Sequence, residues 1–221
     1  MESTATAALS RRAAETRNRL IAAGRAAFSR KPFAAVKLKK DILEPSGVSV
    51  GSFYHQFRDK GDLLVTILEQ HSSEMREQFS ELHRPGLTRT PERIARDSYA
   101  LVFEMVDRHT DIIRIQQHAT PADDPRLVEF YERDRQHWHD SRCEDYKRIA
   151  EVNGDDLDVD FAAELIGMLA DGAIRHYTSI PRANREAARE RLIDGLVQLT
   201  LRGLSGLGSG VTSNNLRTHS E

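Results

Sequence analysis

Cysteine is almost absent from the 221-residue chain, which contains only Cys143. A single thiol excludes a disulfide framework within one chain, so we expect a reducing, cytoplasmic location. We interpret Cys143 as an inert, partly buried residue rather than a redox-sensing thiol. The first residues lack the apolar segment of a signal peptide, and no membrane partner is predicted.

Sequence motifs of common enzymes are also missing. The chain contains no His-Glu-x-x-His pair, nucleophile elbow, phosphate-binding loop or glycine-rich dinucleotide loop. His137 and His139 flank a tryptophan, but residues two apart on a helix point about 200° apart and cannot share a metal ion. We therefore predict a protein that is not an enzyme, with no catalytic residues, no metal and no cofactor.

Strand patterns are absent as well, and the breaks between apolar segments are those of helices. Alternating apolar and polar residues do not occur, nor do the turn dipeptides of hairpins. Thr90-Pro91 and Asp124-Pro125 each resemble a helix start, with a capping side chain before a proline. We predict an all-α chain of about nine helices, with later helices at residues 126–152, 158–179 and 185–203.

The most informative segment is SGVSVGSFYHQFRDK, residues 46–60. Gly47 can take the positive φ of a sharp turn between helices, and Ser49 is a good N-cap for a short helix. Phe53 and Phe57 are four residues apart and should anchor that helix to its neighbours. The remaining face is polar and free to enter a groove, which is typical of a helix-turn-helix.

The preceding segment completes a small three-helix head. Leu38, Ile42 and Leu43 form the apolar side of a helix whose other side carries lysines. Pro45 is predicted to end this helix, because proline disfavours α geometry at Glu44. Apolar residues between positions 20 and 28 recur at helical spacing and supply the first helix.

Charge is distributed unevenly along the chain. Residues 1–60 contain 12 lysine and arginine residues and five acidic residues, a net charge of +7, whereas the remainder has 20 against 29, or −9. A basic head on an acidic body is typical of a phosphate-binding surface confined to one end. The alternative is an arginine-rich helix face that is simply solvated.

The segments RLIAAGRAAF, DIL and SGVSVGSFYHQFRDKGDLL together resemble the amino-terminal DNA-binding domain of TetR-type transcriptional regulators. The resemblance covers about residues 17–68. It implies an all-helical homodimer with two DNA-binding heads and a larger carboxy-terminal domain that binds a small effector. The implied function is a sequence-specific regulator, most simply a repressor released from a pseudo-palindromic DNA operator by an effector of unknown identity. The alternative is a helical carrier with a vestigial helix-turn-helix.

The resemblance also implies site residues. The predicted DNA-binding set is Lys39, Lys40, Ser49, Val50, Ser52, Tyr54, His55 and Lys60. Among these, Lys60 is expected to meet a phosphate at the start of the next helix. Val50 departs from the family, which often has lysine or arginine there, so contact with a thymine methyl group is expected instead. Leu43, Pro45 and the segment 36–37 also depart from the family pattern.

The body is expected to dimerise through its last two helices and to hold the effector. The predicted interface comprises Phe161, Leu165, Met168, Gly172, Leu192, Leu196 and Leu199. The predicted effector pocket comprises Tyr99, Phe103, Arg114, Gln117, Tyr131, Trp138 and Tyr177. Aromatic residues of this kind are more often core residues than ligand contacts, so both interpretations stay open.

The predicted organisation has four parts. Residues 1–13 form a flexible arm, residues 14–60 the DNA-binding domain, residues 61–204 the effector-binding and dimerisation domain, and residues 205–221 a flexible tail. Arg11 and Arg12 in the arm either reach a minor groove or are solvated.

Overall fold

The computed structural model describes residues 2–82, 90–120, 122–153 and 157–204. Helices account for nearly all of these residues, and the described ranges contain no β-strand. The helices are α1 Glu2–Phe28, α2 Glu44–Ser46, α3 Val50–Gln56, α4 Lys60–Leu82, α5 Pro91–Arg108, α6 Thr110–His118, α7 Pro125–Asn153, α8 Val159–Ser179 and α9 Arg185–Leu204. Shorter turns are a 3₁₀ turn at Phe33–Ala35, a π-helical turn at Leu38–Leu43 and a 3₁₀ turn at Arg182–Asn184.

The all-α prediction is confirmed, and the later helix ends agree with the expected ones to within one residue. The tail predicted at residues 205–221 lies outside the described residues. Among the residues described, we find no helix that is both long and apolar enough to span a membrane.

The chain forms two compact units. The first unit comprises Met1–Gln78 and Asp107–Asp134, and the second comprises Phe79–Val106 and Arg135–Glu221. This division differs from the predicted boundary at residue 60, because α4 supplies part of the core of the first unit. The buried residues that α4 contributes to this core are Leu63, Leu64, Ile67 and Leu68.

Helix α1 approaches α4 closely at Gly24. Gly24 makes this approach possible, because a Cβ atom added there would lie 2.9 Å from Leu63 Cδ2 and 3.0 Å from Ile67 Cδ1. The core then continues through α6 and the start of α7. The contributing residues there are Ile112, Ile115, Ala119, Leu127 and Phe130. The first unit is thus built on helices from two separate chain segments.

The structure differs from the sequence prediction at Pro45. Glu44 adopts α geometry with φ −59° and ψ −50°, so the helical path continues through Pro45 to Ser46. The turn before the proline is π-helical and wider than an α turn. Since proline lacks the N–H for an α-helical hydrogen bond, this wider turn accommodates it without breaking the helix. Gly47, not Pro45, ends the helix.

The amino-terminal arm also differs from the prediction. Residues 2–13 continue α1 as a helix rather than forming a separate flexible segment. The physical reason is composition, because this stretch is rich in alanine, the residue with the highest helix propensity.

The second unit is a layer of α5, α8 and α9 with most of α7. The rings of Phe103 and Tyr177 lie 4.8 Å apart inside it. Tyr99 and Thr200, both buried, share a hydrogen bond of 2.6 Å between their hydroxyl groups. Asp158 caps α8 by accepting a hydrogen bond from the backbone N–H of Phe161 at 3.1 Å.

Candidate DNA-binding interface

The turn between α2 and α3 is held by a glycine and an arginine. Gly47 has φ 60° and ψ 29°, the left-handed geometry that favours glycine. A Cβ atom there would lie 2.8 Å from Nη2 of Arg19. That same nitrogen donates to the carbonyl oxygen of Ser46. The positive φ expected at Gly47 is confirmed, and α1 fixes the turn from outside.

The start of α3 is capped as the sequence predicts. The hydroxyl oxygen of Ser49 accepts a hydrogen bond from the backbone N–H of Ser52 at 3.2 Å. The two hydroxyl groups are also hydrogen-bonded to each other at 2.9 Å. These bonds satisfy one of the free N–H groups at the helix start and define where the helix begins.

Two phenylalanines and an arginine anchor α3. Phe53 and Phe57 are buried, with ring centroids 5.8 Å apart. At the other end of the helix, Arg17 of α1 donates from Nη1 to the carbonyl oxygen of Gln56 at 3.2 Å. Its guanidinium carbon lies 4.5 Å from the ring centroid of Phe57. The anchoring predicted for the phenylalanines is confirmed. The sequence does not predict the contacts of Arg17 with Gln56 and Phe57.

The outward face of α3 is open to solvent. Val50 is 52% exposed and Tyr54 is 57% exposed, although both are large side chains with apolar surface. His55 is exposed beside them, and Ser52 is half-buried. Four of the eight residues predicted to bind DNA therefore lie on one short helix outside the core, namely Val50, Ser52, Tyr54 and His55.

The π-helical turn before α2 presents lysines to solvent. Lys39 and Lys40 are exposed, and neither has an ion pair among the residues that the structure describes. Asp41 in the same turn accepts from Lys31 Nζ at 2.6 Å and from the backbone N–H of Lys37 at 2.8 Å. The Lys31 hydrogen bond chiefly, together with that of Lys37, lowers the pKa of the Asp41 carboxyl.

Lys60 occupies a different environment from the one predicted. Its Nζ donates to the carbonyl oxygens of Phe33 at 2.8 Å and of Val36 at 3.0 Å. The ammonium also lies 4.3 Å from the ring centroid of Phe33. Burial lowers the pKa of Lys60. These contacts make Lys60 a support for the segment before the π-helical turn, because its charge is turned toward the protein.

Other basic residues counted in the head are paired with acidic residues outside residues 1–60. Arg25 pairs with Asp111, and the exposed guanidinium of Arg58 lies 3.5 Å from the carboxylate of Asp62. Sequence composition gives the number of these charges but not their partners in the fold. The free positive charge near α3 is therefore smaller than the count of +7 suggests.

A comparison with known families decides what this helix-turn-helix is. Residues 20–67 match the family model described as bacterial regulatory proteins of the tetR family. This segment contains the Gly47 turn, the Ser49 cap and the two phenylalanine anchors. The helix-turn-helix segment therefore belongs to the tetR family of bacterial regulatory proteins. A helix-turn-helix of this family binds DNA and regulates transcription, and the family is one of regulators rather than enzymes.

Solved structures show that the fold of the chain is similar to that of known regulators well beyond the matched segment. The fatty acid degradation regulator FadR from Bacillus halodurans has a TM-score of 0.68 at 13% identity, over 92% of this chain and 97% of that one. A TetR-family regulator from Streptomyces coelicolor has a TM-score of 0.69 at 22% identity, over 87% and 97%. A regulator from Aquifex aeolicus has a TM-score of 0.63 at 18% identity, over 82% and 97%. No curated protein sequence matches the chain.

Most of the residues predicted to form the dimer interface line an apolar groove on the second unit. The groove lies between α8 and α9 and has a volume of about 890 Å³. Its lining includes Met168, Gly172, Leu192, Leu196 and Leu199 from the predicted set. Phe161 and Leu165 are also exposed on α8. Leu196 differs from the others, since it is already buried within its own chain.

The predicted effector residues do not form one site within either unit. Tyr99, Phe103 and Tyr177 are buried in the second unit, and Trp138 there packs edge-on against Phe79. In the first unit, Arg114 and Gln117 are exposed, and Tyr131 donates to the carbonyl oxygen of Ala119 at 3.3 Å. Neither the α8–α9 groove nor a cleft of about 300 Å³ beside Phe130 and Arg133 is lined by any of these seven residues.

Proposed function

We propose that this chain is a cytoplasmic repressor that binds a pseudo-palindromic operator as a homodimer and is released by a small-molecule effector. The observation that carries the proposal is the outward face of α3. A short helix, capped and anchored on one side, exposes Val50 and Tyr54 by more than half of their surface. Such a helix fits the major groove, where side chains near its start contact base edges.

Gly51 supports this interpretation independently. A Cβ atom added at Gly51 would meet no other atom within 4 Å, so nothing inside the protein requires glycine there. Glycine within a helix costs about 1 kcal/mol relative to alanine. The reason for this glycine therefore lies outside the chain, and close approach of the DNA backbone to α3 supplies it.

A second copy of the chain is the occupant that we propose for the α8–α9 groove. Met168 and Leu199 are 59% and 55% exposed, and they lie next to small residues such as Gly172 that let helices approach closely. A twofold axis would pair the groove with itself and bury these side chains. A dimer would also carry two recognition helices, which can enter two successive major grooves of DNA, about 34 Å apart.

Release by an effector requires that a change in the position of α6 also moves α1. Arg25 of α1 and Asp111 of α6 form two hydrogen bonds, and α6 also packs apolar residues on α1. We propose that the effector changes the position of α6 and that this pair carries the change to α1. The two recognition helices then no longer match successive grooves, and the population shifts toward free protein.

Gel-shift titration of the full-length protein against its own promoter region tests the proposal. Lys39→Ala and Lys40→Ala should each weaken binding and reduce the slope of log K against log salt by about one, because each removes a phosphate contact. Arg135→Ala, which removes an exposed charge on α7, is the matched control and should bind normally. A protein that binds no promoter duplex better than random DNA would refute the proposal.

A further inference from the structure

Three different metal-ligating side chains meet in the second unit. His139 and Cys143 are four residues apart on α7, so they share one face of that helix. Asp160 comes from the first turn of α8. Cys143 is 6% exposed, whereas the Asp160 side chain is 84% exposed. The cluster therefore lies at the boundary between the protein interior and solvent.

The three ligand atoms form a nearly equilateral triangle. Cys143 Sγ lies 3.5 Å from His139 Nε2 and 3.4 Å from Asp160 Oδ1. The distance between His139 Nε2 and Asp160 Oδ1 is 3.5 Å. Zinc bonds of about 2.3 Å to sulfur and 2.0–2.2 Å to nitrogen and oxygen, at tetrahedral angles, give ligand separations of about 3.4–3.6 Å. The triangle thus has the dimensions of one face of a zinc tetrahedron.

We propose that His139, Cys143 and Asp160 bind a Zn²⁺ ion. Thiolate, imidazole and carboxylate are the three ligand types that zinc takes in proteins, and this mixed set suits zinc better than magnesium or calcium. Because the Asp160 side chain is 84% exposed, solvent reaches the cluster, and water or an external ligand completes the tetrahedron. The ion ties the start of α8 to α7.

A second cluster shows what makes this arrangement distinctive. His71, Glu74 and His109 also bring three ligand atoms together in the first unit. There, however, Arg25 Nη2 lies 3.3 Å from His109 Nδ1. A guanidinium group at that distance repels a metal cation. If Nε2 of His109 binds a metal ion, Nδ1 must carry the ring proton. The Arg25 guanidinium, itself a donor, already faces Nδ1, so two donors would oppose each other there.

The site shares no residue with the predicted DNA-binding set, so it can be tested on its own. Untagged full-length protein is stripped with a chelator under reducing conditions and titrated with Co²⁺, followed by displacement with Zn²⁺. The expected result is one ion per chain, with the visible absorption of tetrahedral cobalt and a thiolate-to-cobalt charge-transfer band. Zn²⁺ should abolish both signals. Absence of the charge-transfer band would overturn the proposal.

Variants identify the ligands. Cys143→Ser, His139→Gln and Asp160→Asn should each weaken Zn²⁺ binding by more than about 100-fold, because even loss of an outer partner of a metal ligand costs 10–100-fold. His137→Gln, which changes the neighbouring exposed histidine on α7, is the matched control and should bind as the unmodified protein does. If Cys143→Ser fails to fold by circular dichroism, the other two variants decide. Undiminished binding in the folded variants, or binding lost only in His71→Gln, would refute this site.

Discussion

Arg25 on α1 and Asp111 on α6 are joined by two parallel hydrogen bonds, from Nε to Oδ2 at 2.7 Å and from Nη2 to Oδ1 at 2.9 Å. This fork-to-fork geometry defines distance and orientation together, which a single contact does not. Burial alone would raise the pKa of the Asp111 carboxyl, but the hydrogen bonds and charge of Arg25 hold it below its ordinary value. The pair therefore stays ionised at neutral pH.

Asp111→Asn tests the coupling between α6 and α1. The variant should lose about 1 kcal/mol of unfolding free energy at neutral pH, after allowance for solvent screening of this half-exposed pair. Because the folded pKa of Asp111 is depressed, its contribution is present above the unfolded pKa of about 3.9 and is lost as pH falls through the folded value. Urea titrations at pH 7 and at successively lower pH should therefore show a difference between the two proteins that is largest at pH 7 and shrinks as pH falls. Glu129→Gln, at an exposed carboxylate on α7, should change neither.

Gly51→Ala should stabilise the protein and weaken its binding to DNA. With no atom within 4 Å of the added Cβ, the substitution is free of clashes in the unbound protein. The unfolding free energy should rise by about 0.5–1 kcal/mol, as expected for alanine in place of glycine in a helix. Operator binding should weaken, because the added methyl group holds the DNA backbone away. A variant that is both more stable and equally tight in gel-shift titration would contradict this role.

Val50 should determine base preference at one operator position. Val50→Ala leaves the fold intact, since the side chain is already 52% exposed. Loss of two methyl groups from a contact with a thymine methyl should weaken binding by about 1–2 kcal/mol. The loss should be confined to operators with thymine at the contacted position. Binding to a set of operators substituted one base pair at a time measures this, and a uniform loss across all of them would argue against base contact.

Leu199→Glu should produce monomers. The substitution places a charge on a side chain that is 55% exposed and lines the α8–α9 groove. Burying an unpaired carboxylate between two copies is strongly unfavourable, whereas the isolated chain keeps it in water. Sedimentation velocity should show half the mass with unchanged helicity, and operator affinity should fall with it. Val128→Glu changes another exposed apolar residue outside the groove and should leave the dimer intact.

His71 should make stability depend on pH. Burial chiefly, and then the charge of His109, lowers the pKa of His71 to about 4, with Glu74, Asp111 and Arg25 also acting on it. The unfolded chain binds this proton near its ordinary pKa of 6.5, so folding stability falls as pH drops from about 6.5 toward 4. The loss is at most about 3 kcal/mol. His71→Gln should remove this dependence of the unfolding free energy on pH between about 6.5 and 4, and the control His137→Gln should retain it.

Local chemistry explains which features of the head could be predicted. The left-handed turn at Gly47 and the cap at Ser49 depend on residues within a few positions, so the sequence predicts them correctly. Lys60 was expected to face DNA because charge and position suggest it. Its turn inward depends on the carbonyl groups of Phe33 and Val36, 24 to 27 residues earlier, and no local pattern encodes that contact.

Long-range packing explains the remaining differences. The apolar stripes on α8 and α9 predicted an interface, but burial of Leu196 within its own chain depends on how the two helices meet. The triangle of His139, Cys143 and Asp160 joins residues from two helices, and spacing along the sequence gives only the first pair. Sequence periodicity tells which face of a helix is apolar, whereas partners across helices come from the fold.

The discontinuous first unit has a consequence for how the protein is made. Its core needs Ile112 and Ile115 from α6 and Leu127 and Phe130 from α7, which follow the recognition helix by more than 50 positions. During synthesis, the DNA-binding helices leave the ribosome long before the side chains that cover their apolar surface. The nascent head thus exposes hydrophobic residues until Phe130 has emerged, and a fragment ending at residue 60 would lack the surface it needs to fold.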